Sequence, residues 1–315
     1  MQLSDRIGRR MKLQDLHVLM AVVRAGSMSK GAAILNTTQS AISRSITQLE
    51  KTIGVRLLDR GPQGIEPTRY GHALLECGVA VFDDLRRGVK NIEFLADPAA
   101  GEVRIGCPPQ LAASFVSTVV DRLGRRYPRI VFHVVVGQLV DAQYRALFDR
   151  DVDLLIARRF GSLVDQRTDY ELLFDDPYLV ATGIHNPWTR RRRIELAELA
   201  NEPWVLPPPP NSVVESVAKE AFLASGLDYP RTTVFSASPD VRMSFLATGR
   251  FISVIPDSVL RFSIKRPELK VLPVTRSLSH MPVGIITLKN RTLSPVAQLF
   301  IDNAREVAKA LVRTK

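Results

Sequence analysis

Residue types that can carry out catalysis or bind a metal occur in this sequence, but their spacing forms no catalytic or metal-binding motif. Ser27 and Lys30 have the Ser-x-x-Lys spacing of a serine acylation motif, yet no partner motif follows, and we interpret Ser27 as a helix cap. The histidines include no i, i+4 pair, and Cys77 and Cys107 lie far apart in apolar sequence. We therefore expect no enzymatic activity, no metal, no cofactor and two buried, unreactive thiols.

A different chemistry, hydrogen bonding to a polyanion, is indicated by residues 39–53. Ile42, Ile46, Leu49 and Ile53 recur at steps of three or four, which predicts an amphipathic helix. The opposite face is nearly free of acid and carries hydroxyl, amide and cationic side chains, namely Ser40, Ser43, Arg44, Thr47, Gln48 and Lys51. Such groups reach phosphates and base edges in the major groove of DNA. The alternative is a helix face that is merely solvated.

The elements before this helix complete a predicted helix-turn-helix. Apolar side chains at helical spacing predict a helix over residues 13–25, which Gly26 ends. Ser27 or Ser29 then caps a short helix that runs to Leu35, and a tight turn at residues 36–38 follows. In such a motif the second helix enters the major groove.

A β-hairpin, or wing, is predicted directly after these helices. Val55 to Leu58 form its first strand, residues 61–64 form its turn, and Ile65 begins the return strand. Arg60 lies at the base of this hairpin, where it can contact a phosphate.

Positive charge is concentrated in the same region. The chain has a formal net charge of +11. Residues 1–71 contain eleven Lys or Arg and five Asp or Glu, so more than half of the net charge lies in less than a quarter of the chain. This distribution favours a polyanionic partner for the N-terminal region.

A long, gap-free family pattern covers this region. It consists of Ala32-Ala33-x-Leu35, Thr38-Gln39-Ser40-Ala41-Ile42-Ser43-Arg44-x-Ile46-x-x-Leu49-Glu50, Gly54-x-x-Leu57-Leu58-x-Arg60 and Thr68-x-x-Gly71. The pattern resembles the LysR-type transcriptional regulators, and residues 1–71 are interpreted as their winged helix-turn-helix DNA-binding domain. The resemblance implies base and phosphate contacts on the recognition helix and a backbone contact on the wing. The candidate DNA-binding residues are Gln39, Ser40, Ser43, Arg44, Thr47 and Arg60.

Two features depart from the family pattern. The wing tip is Pro62-Gln63, where relatives often have an arginine for the minor groove. The usual start of the family lies near Met11, which is therefore a candidate initiator.

Residues 72–96 are predicted to form one long linker helix. Its apolar residues and one glycine recur at steps of three and four, at Leu74, Gly78, Val81, Leu85, Val89 and Ile92. Such a stripe packs either on its own domain or against a second copy of the chain. In the family resemblance it pairs two subunits, which implies a homodimer or homotetramer. The partner would be an interrupted palindrome in double-stranded promoter or operator DNA.

Residues 97–315 are predicted to form an α/β domain with two lobes. Short β-rich runs alternate with helices, which predicts an open parallel sheet. We place lobe I at about residues 101–165 and 275–315, and lobe II at about residues 166–274. This part resembles the effector domain of the LysR-type regulators, which is similar to periplasmic binding proteins. The predicted fold class is thus multidomain, with an α-rich winged helix-turn-helix, a long linker helix and a two-lobed α/β domain.

Ligand contacts are expected where the strands of such a sheet end, because helix N-termini present free amide groups there. The candidate effector-binding residues at these ends are Pro109, Gln110, Gln138, Arg158, Asn211 and Ser238. Relatives often have Ser or Thr after the first strand to hold a ligand carboxylate, whereas this chain has Pro-Pro-Gln at residues 108–110. This departure weakens the expectation of a carboxylate ligand and leaves room for a neutral polar ligand such as a sugar. Each residue also remains open to interpretation as an ordinary loop position.

The predicted function is sequence-specific regulation of transcription, controlled by a small-molecule effector bound between the two lobes. No apolar run is long enough to span a membrane and no secretory signal is recognised, so we expect a cytoplasmic protein that joins the nucleoid when bound to DNA. Two alternatives are an architectural DNA-binding protein and a two-lobed enzyme fused to a DNA-binding module. The effector, the target genes and the sign of regulation are left open.

Overall fold

The computed structural model describes residues 10–61, 64–137, 140–158, 165–208, 213–262, 268–275 and 277–312. The chain divides into two compact units, Met1–Val89 and Lys90–Lys315.

Three helices form the core of the first unit. They are α1 (Leu13–Ala25), α2 (Met28–Ile34) and α3 (Gln39–Ile53). The hydroxyls of Ser27 and Thr38 cap α2 and α3, each accepting a hydrogen bond from a backbone N–H three residues further along. Gly26 and Gly54 end α1 and α3 in the left-handed conformation. The capping role predicted for Ser27 is thereby confirmed.

A two-stranded wing follows, with β1 (Leu58–Gly61) antiparallel to β2 (Gly64–Pro67). The prediction that its first strand begins at Val55 is wrong. The Glu50 carboxylate at the end of α3 accepts hydrogen bonds from the backbone N–H groups of Leu57 and Leu58, at 2.7 and 3.3 Å. The segment before Leu58 is therefore bound to the helix, and strand pairing starts only after it.

Helix α4 (Arg69–Ala96) corresponds to the predicted linker, and its two halves differ in exposure. Gly78 in the first half is buried, and a Cβ atom there would lie 3.1 Å from side-chain atoms of Leu16 and Met20. Gly78 therefore packs on its own unit and does not belong to an intersubunit stripe. Cys77 is exposed, so the prediction that both thiols are buried is wrong for this residue.

Four apolar residues in the second half of α4 are exposed, namely Leu85, Val89, Ile92 and Leu95. Phe94 in the same half is half-buried and packs against the core of the second unit.

The second unit contains one mixed sheet. Its strands are β3 (Ala100–Cys107), β4 (Arg129–Val136), β5 (Leu154–Arg158), β6 (Thr168–Gly183), β7 (Trp204–Leu206), β8 (Thr232–Phe235), β9 (Ile252–Pro256), β10 (Leu269–Val271) and β11 (His280–Leu288). Their order is β4-β3-β5-β11-β6-β9-β7-β8, with β10 beside β6. The prediction of an open parallel sheet holds for the pairs β3–β4, β3–β5, β7–β8 and β7–β9, and is wrong for β11, which runs antiparallel to β5 and β6.

Helices cover the sheet of the second unit. They are α5 (Ser117–Arg126), α6 (Val140–Phe148), α7 (Val213–Leu223), α8 (Pro239–Ala247), α9 (Asp257–Phe262) and α10 (Pro295–Val312). A helical turn (Pro109–Leu111) and a π-helical turn (Ala112–Val116) lead into α5. Within the described part of the chain, no helix has both the length and the apolar content to cross a membrane.

The long strand β6 passes from one lobe to the other. Its residues from Thr168 to Pro177 pair with β11, and those from Tyr178 onward pair with β9. The buried side chains follow the same division, because Phe174 belongs to the core of the first lobe and Tyr178 to that of the second. The crossing lies at Pro177, further along the chain than the predicted boundary near residue 165.

Candidate DNA-binding and ligand-binding sites

The polar face of α3 is exposed. Gln39, Ser40, Arg44 and Thr47 are exposed, and Ser43 is half-buried. The Thr47 hydroxyl donates to the Ser43 carbonyl at 2.8 Å, and the Arg44 Nε donates weakly to the Ser40 carbonyl at 3.4 Å. Because these are neutral hydrogen bonds on an exposed helix face, exchanging them for contacts with another partner costs little net free energy.

Buried contacts hold this helix in place. Ile42, Ile46 and Leu49 pack into the core of the first unit. The Ser45 hydroxyl donates to Asp15 of α1 at 2.6 Å. Glu50 is the only acid of α3, and its carboxylate accepts hydrogen bonds from the backbone N–H groups of Leu57 and Leu58. Because this carboxylate is engaged there, the exposed face of the helix is cationic. Sequence reasoning did not identify Asp15, Ser45 or Glu50 as positioning residues, since their partners lie on other elements.

The wing carries the remaining DNA-binding candidate. The backbone of Arg60 lies in β1 opposite Ile65. Its side chain lies outside the described part of the structure. The backbone N–H of Ile65 donates to the Gly26 carbonyl at 3.0 Å, and a Cβ atom at Gly64 would lie 2.7 Å from that oxygen. Only glycine at position 64 permits this close approach of the wing to the end of α1.

A cavity of about 70 Å³ lies between the two lobes. Pro109, Gln110 and Ala113 line it from the first lobe, after the end of β3. Its remaining lining residues follow or belong to β9, α7, α8 and α9, and include Asp240, Arg242, Met243 and Val259. Two of the predicted effector-binding residues, Pro109 and Gln110, therefore meet residues of the other lobe.

The other effector-binding candidates lie elsewhere. Ser238 caps α8 next to the cavity, and its hydroxyl accepts from the Val241 N–H at 3.4 Å. Gln138 and Asn211 lie outside the described residues.

Arg158 does not line the cavity but is bound by another side chain of the same lobe-crossing region. Its Nη2 atom donates to the Asp176 carboxylate at 2.6 Å. Ser258 at the start of α9 donates to the same carboxylate through its hydroxyl at 2.7 Å and its N–H at 2.9 Å. This buried group joins β5, β6 and α9, so its geometry accounts for Arg158 as a structural residue.

Sequence reasoning missed Arg242, which lines the cavity and is only 3% exposed. Its Nη1 atom donates to the carbonyls of Ser236 and Ala237 at 2.8 and 3.3 Å. Its Nε atom is buried without a hydrogen-bond partner. Burial lowers the pKa of this guanidinium to about 10, because desolvation disfavours the charged form. An arginine in the first turns of a helix was the available signal, since helix N-termini disfavour cations.

A larger cavity, of about 410 Å³, lies at the end of α4 against the beginnings of β3 and α10. Three of its four charged lining residues are paired, with Lys90 bound to Glu102 at 2.9 Å and Asp97 bound to Arg129 at 2.6 Å.

The chain has a cationic helix face on a winged helix-turn-helix, and a two-lobed α/β domain with an inter-lobe cavity follows in the sequence. These features define a ligand-responsive transcription regulator. Comparison with known proteins specifies the family. The model described as "Bacterial regulatory helix-turn-helix protein, lysR family" matches residues 13–72, and "LysR substrate binding domain" matches residues 96–309. The chain belongs to the LysR-type transcriptional regulators. Family and fold class, as expected from the sequence, are confirmed.

Relatives extend over nearly the whole chain. The regulator GbpR of Azospirillum brasilense is 25% identical over 305 residues, which cover 96% of this chain and 89% of GbpR. GltC of Bacillus subtilis, a transcriptional dual regulator, is 26% identical over 294 residues, covering 93% and 96%. Both are regulators, in agreement with the expectation that this chain is not an enzyme. It is a DNA-binding transcriptional regulator with an effector-controlled domain.

Solved structures share the fold. A full-length OxyR variant from Pseudomonas aeruginosa has a TM-score of 0.66 at 19% identity, covering 95% of this chain and 97% of that one. Full-length CbnR, solved with its target DNA, has a TM-score of 0.63 at 21% identity, covering 94% and 100%.

Proposed function

We propose that the regulator reads DNA through the polar face of α3. Gln39, Ser40, Ser43, Arg44 and Thr47 are the base and phosphate contacts, and Arg60 on the wing is a backbone contact. The observation that carries this proposal is an exposed, acid-free face on a helix whose other face is anchored by buried Ile42, Ile46 and Leu49. A helix held this rigidly presents short side chains in a fixed register to the base edges.

The exposed apolar stripe of α4 pairs two copies of the chain. Leu85, Val89, Ile92 and Leu95 follow one another at steps of four, three and three residues. A stripe of this spacing forms a coiled-coil seam when a partner helix covers it. Two copies joined in this way present two recognition helices to two half-sites, which matches an interrupted palindrome. A homodimer, or a tetramer of two dimers, is thus the DNA-binding form.

The effector binds between the two lobes, with Pro109 and Gln110 on one side and the start of α8, capped by Ser238, on the other. The cavity of about 70 Å³ is smaller than the roughly 300–1,000 Å³ of ordinary ligand pockets. A ligand of more than a few heavy atoms must therefore hold the lobes further apart. Because it then favours one arrangement of the lobes over another, its binding free energy can change DNA affinity.

The division of the chain follows these roles. Residues 1–71 bind DNA, residues 72–96 form the linker helix, and residues 97–315 bind the effector. The two compact units and the two family matches support this division. Because its target is promoter DNA, the protein acts in the cytoplasm, at the nucleoid.

Selection of genomic fragments by the purified full chain, at low and at moderate salt, tests the DNA-binding proposal. Phosphate binding without sequence preference weakens steeply with salt, whereas binding to a specific site persists. We expect a few fragments with interrupted palindromes to remain enriched at moderate salt, and their neighbouring genes then suggest candidate effectors. Loss of all enrichment at moderate salt would contradict sequence-specific binding by the chain.

A further inference from the structure

The cavity at the end of α4 has the size of a ligand site. Its volume is about 410 Å³, within the roughly 300–1,000 Å³ of ordinary small-molecule pockets. Much of its wall is apolar, formed by Phe94 and Ala96 of α4 and by Pro295 and Val296 at the start of α10. The described lining residues of this cavity and of the inter-lobe cavity have no member in common. An occupant here would therefore bind at a separate place from an effector between the lobes.

Neighbouring cations neutralise two of the three carboxylates that line this cavity. The Lys90 Nζ atom lies 2.9 Å from the Glu102 carboxylate. The pKa of Glu102 is lowered, first of all because it accepts a hydrogen bond from Lys90. Asp97 is paired in the same way, since the Arg129 Nη1 atom lies 2.6 Å from its carboxylate. These two acids are therefore not available to bind a further charge.

Glu93 is the third carboxylate, and it has no such partner. Within the described ranges of the chain, no cation forms an ion pair with it. Lys90, one turn before it on α4, is already bound to Glu102. Asp97, one turn after it, has the same charge, which disfavours the Glu93 carboxylate further. One wall of the cavity thus carries a negative charge that these protein cations do not balance.

The C-terminus of α4 adds negative potential at the same place. The last carbonyls of a helix lack partners within the helix and carry partial negative charge. The last turn of α4, residues 93–96, contains no basic residue, and the nitrogen of Pro98 has no hydrogen to donate. On the opposite wall, the Ser294 hydroxyl accepts a hydrogen bond from the Ala297 N–H at 3.2 Å, which caps the start of α10. The electrostatics of the cavity therefore favour a cation over an anion.

We infer that this cavity is a second ligand site, which binds a protonated organic amine with an apolar body. The ammonium group donates to the Glu93 carboxylate and supplies the charge that Glu93 lacks. The apolar body covers Phe94 and the start of α10, which a bare metal ion would leave in contact with water.

The position of this site gives it a role at the linker. Only residues 97–99 separate the end of α4 from the start of β3, and both elements line the cavity. A bound amine therefore holds the end of the linker helix against the second unit. This role does not depend on the effector function proposed for the inter-lobe cavity.

Thermal unfolding of the full chain with amines and matched alcohols tests the inference. The probes are phenethylamine against 2-phenylethanol, tryptamine against tryptophol and hexylamine against hexanol, at neutral pH and constant ionic strength. Each alcohol keeps the apolar body of its amine and lacks the charge. We expect at least one amine to raise the unfolding midpoint while its alcohol does not, because a ligand that binds the folded chain stabilises it.

Glu93→Gln should weaken the apparent affinity for that amine by roughly tenfold, since a charge-assisted hydrogen bond is lost. The midpoint of the ligand-free variant should not change, because Glu93 is exposed. Asp240→Asn is the matched control, as Asp240 is an exposed acid in the wall of the inter-lobe cavity. It should keep the full response to the amine.

Three results would each overturn the amine site. They are the lack of a shift with every amine, an equal shift with amine and alcohol, and an unchanged amine response in Glu93→Gln. A response that Asp240→Asn loses and Glu93→Gln retains would place the amine between the lobes, and would overturn the site at the end of α4 as well.

Discussion

Arg158 and Arg242 are both buried, and one aspartate distinguishes them. Asp176 accepts a hydrogen bond from Arg158 at 2.6 Å, which makes Arg158 part of the fold. Among the described residues, the guanidinium of Arg242 has two backbone carbonyls as hydrogen-bond partners, which are too weak to balance a buried charge. The same residue type is therefore paired with a carboxylate at one position and with backbone carbonyls at the other.

Arg44 is exposed on α3, and its substitution separates base reading from phosphate binding. If it reads a base edge, Arg44→Ala should cost about 1–3 kcal/mol and relax the preference at one base pair. If it binds phosphate, the variant should weaken binding to all sequences alike. Titrations on a selected site and its single-base variants measure the difference. Arg190→Ala is the control, since it removes an exposed arginine of the second unit. Unchanged binding of Arg44→Ala would remove this residue from the interface.

The two cysteines should differ in reactivity. Cys107 is fully buried, which raises the pKa of its thiol to about 12, whereas Cys77 is exposed. Because the thiolate is the reactive form, iodoacetamide at mildly alkaline pH should alkylate Cys77 and spare Cys107 until the chain is unfolded. Mass spectrometry of peptides measures both sites. Alkylation of folded Cys107 at the rate of Cys77 would contradict its burial.

The raised pKa of Cys107 also has a consequence for stability. The unfolded chain loses this proton near the ordinary value of 9.0, while the folded chain keeps it up to about 12. The contribution of Cys107 is therefore fully present below about pH 9 and declines as the pH rises toward 12.

At the scale of elements, the two halves of α4 differ in burial. Its first half packs on the first unit, where Gly78 allows Leu16 to approach closely. Its second half leaves Leu85, Val89 and neighbouring apolar residues exposed. Periodicity predicts an apolar stripe but does not indicate what covers it. The first half of the helix matches the interpretation of packing on its own domain, and the second half carries the exposed residues of the proposed seam.

Leu85→Asp should break the pairing of two chains through α4. A carboxylate in a coiled-coil seam loses its hydration, and the apolar contact of leucine is lost as well. We expect the association constant to fall by roughly tenfold or more, as burial of one leucine contributes about 1.5–3 kcal/mol. Light scattering over a dilution series measures the oligomer. Arg86→Asp, on the same turn but outside the stripe, should retain the wild-type oligomer. A wild-type oligomer for Leu85→Asp would exclude this seam.

On the scale of the whole molecule, the strands that cross between the lobes decide the architecture of the second unit. β6 passes from the first lobe to the second at Pro177, directly after Asp176. The carboxylate of Asp176 binds Arg158 from β5 and Ser258 from α9 at this crossing. This buried group therefore ties the crossing strand to elements on both of its sides.

Asp176→Asn should destabilise the second unit by about 3–5 kcal/mol, because it leaves the Arg158 charge buried and unpaired. Urea unfolding followed by circular dichroism measures this loss. Asp121→Asn is the control, since Asp121 and Arg125 form an exposed ion pair whose loss should cost less than about 1 kcal/mol. Equal stability of the two variants would show that the Asp176 pair contributes no more than a surface contact.

The sequence alone was sufficient to predict the features that depend on residues close together in the chain. Helix periodicity, the cap Ser27 and Gly26 at the end of α1 act over a few residues, so the helix-turn-helix could be predicted. The alternation of strands and helices predicted the α/β class in the same way. Only the tertiary structure decided that β11 runs antiparallel between β5 and β6, that Gly78 is buried and Cys77 exposed, and that Arg242 is buried against backbone carbonyls. Each of these depends on partners far away in the chain, and neither residue type nor spacing specifies which distant groups will meet.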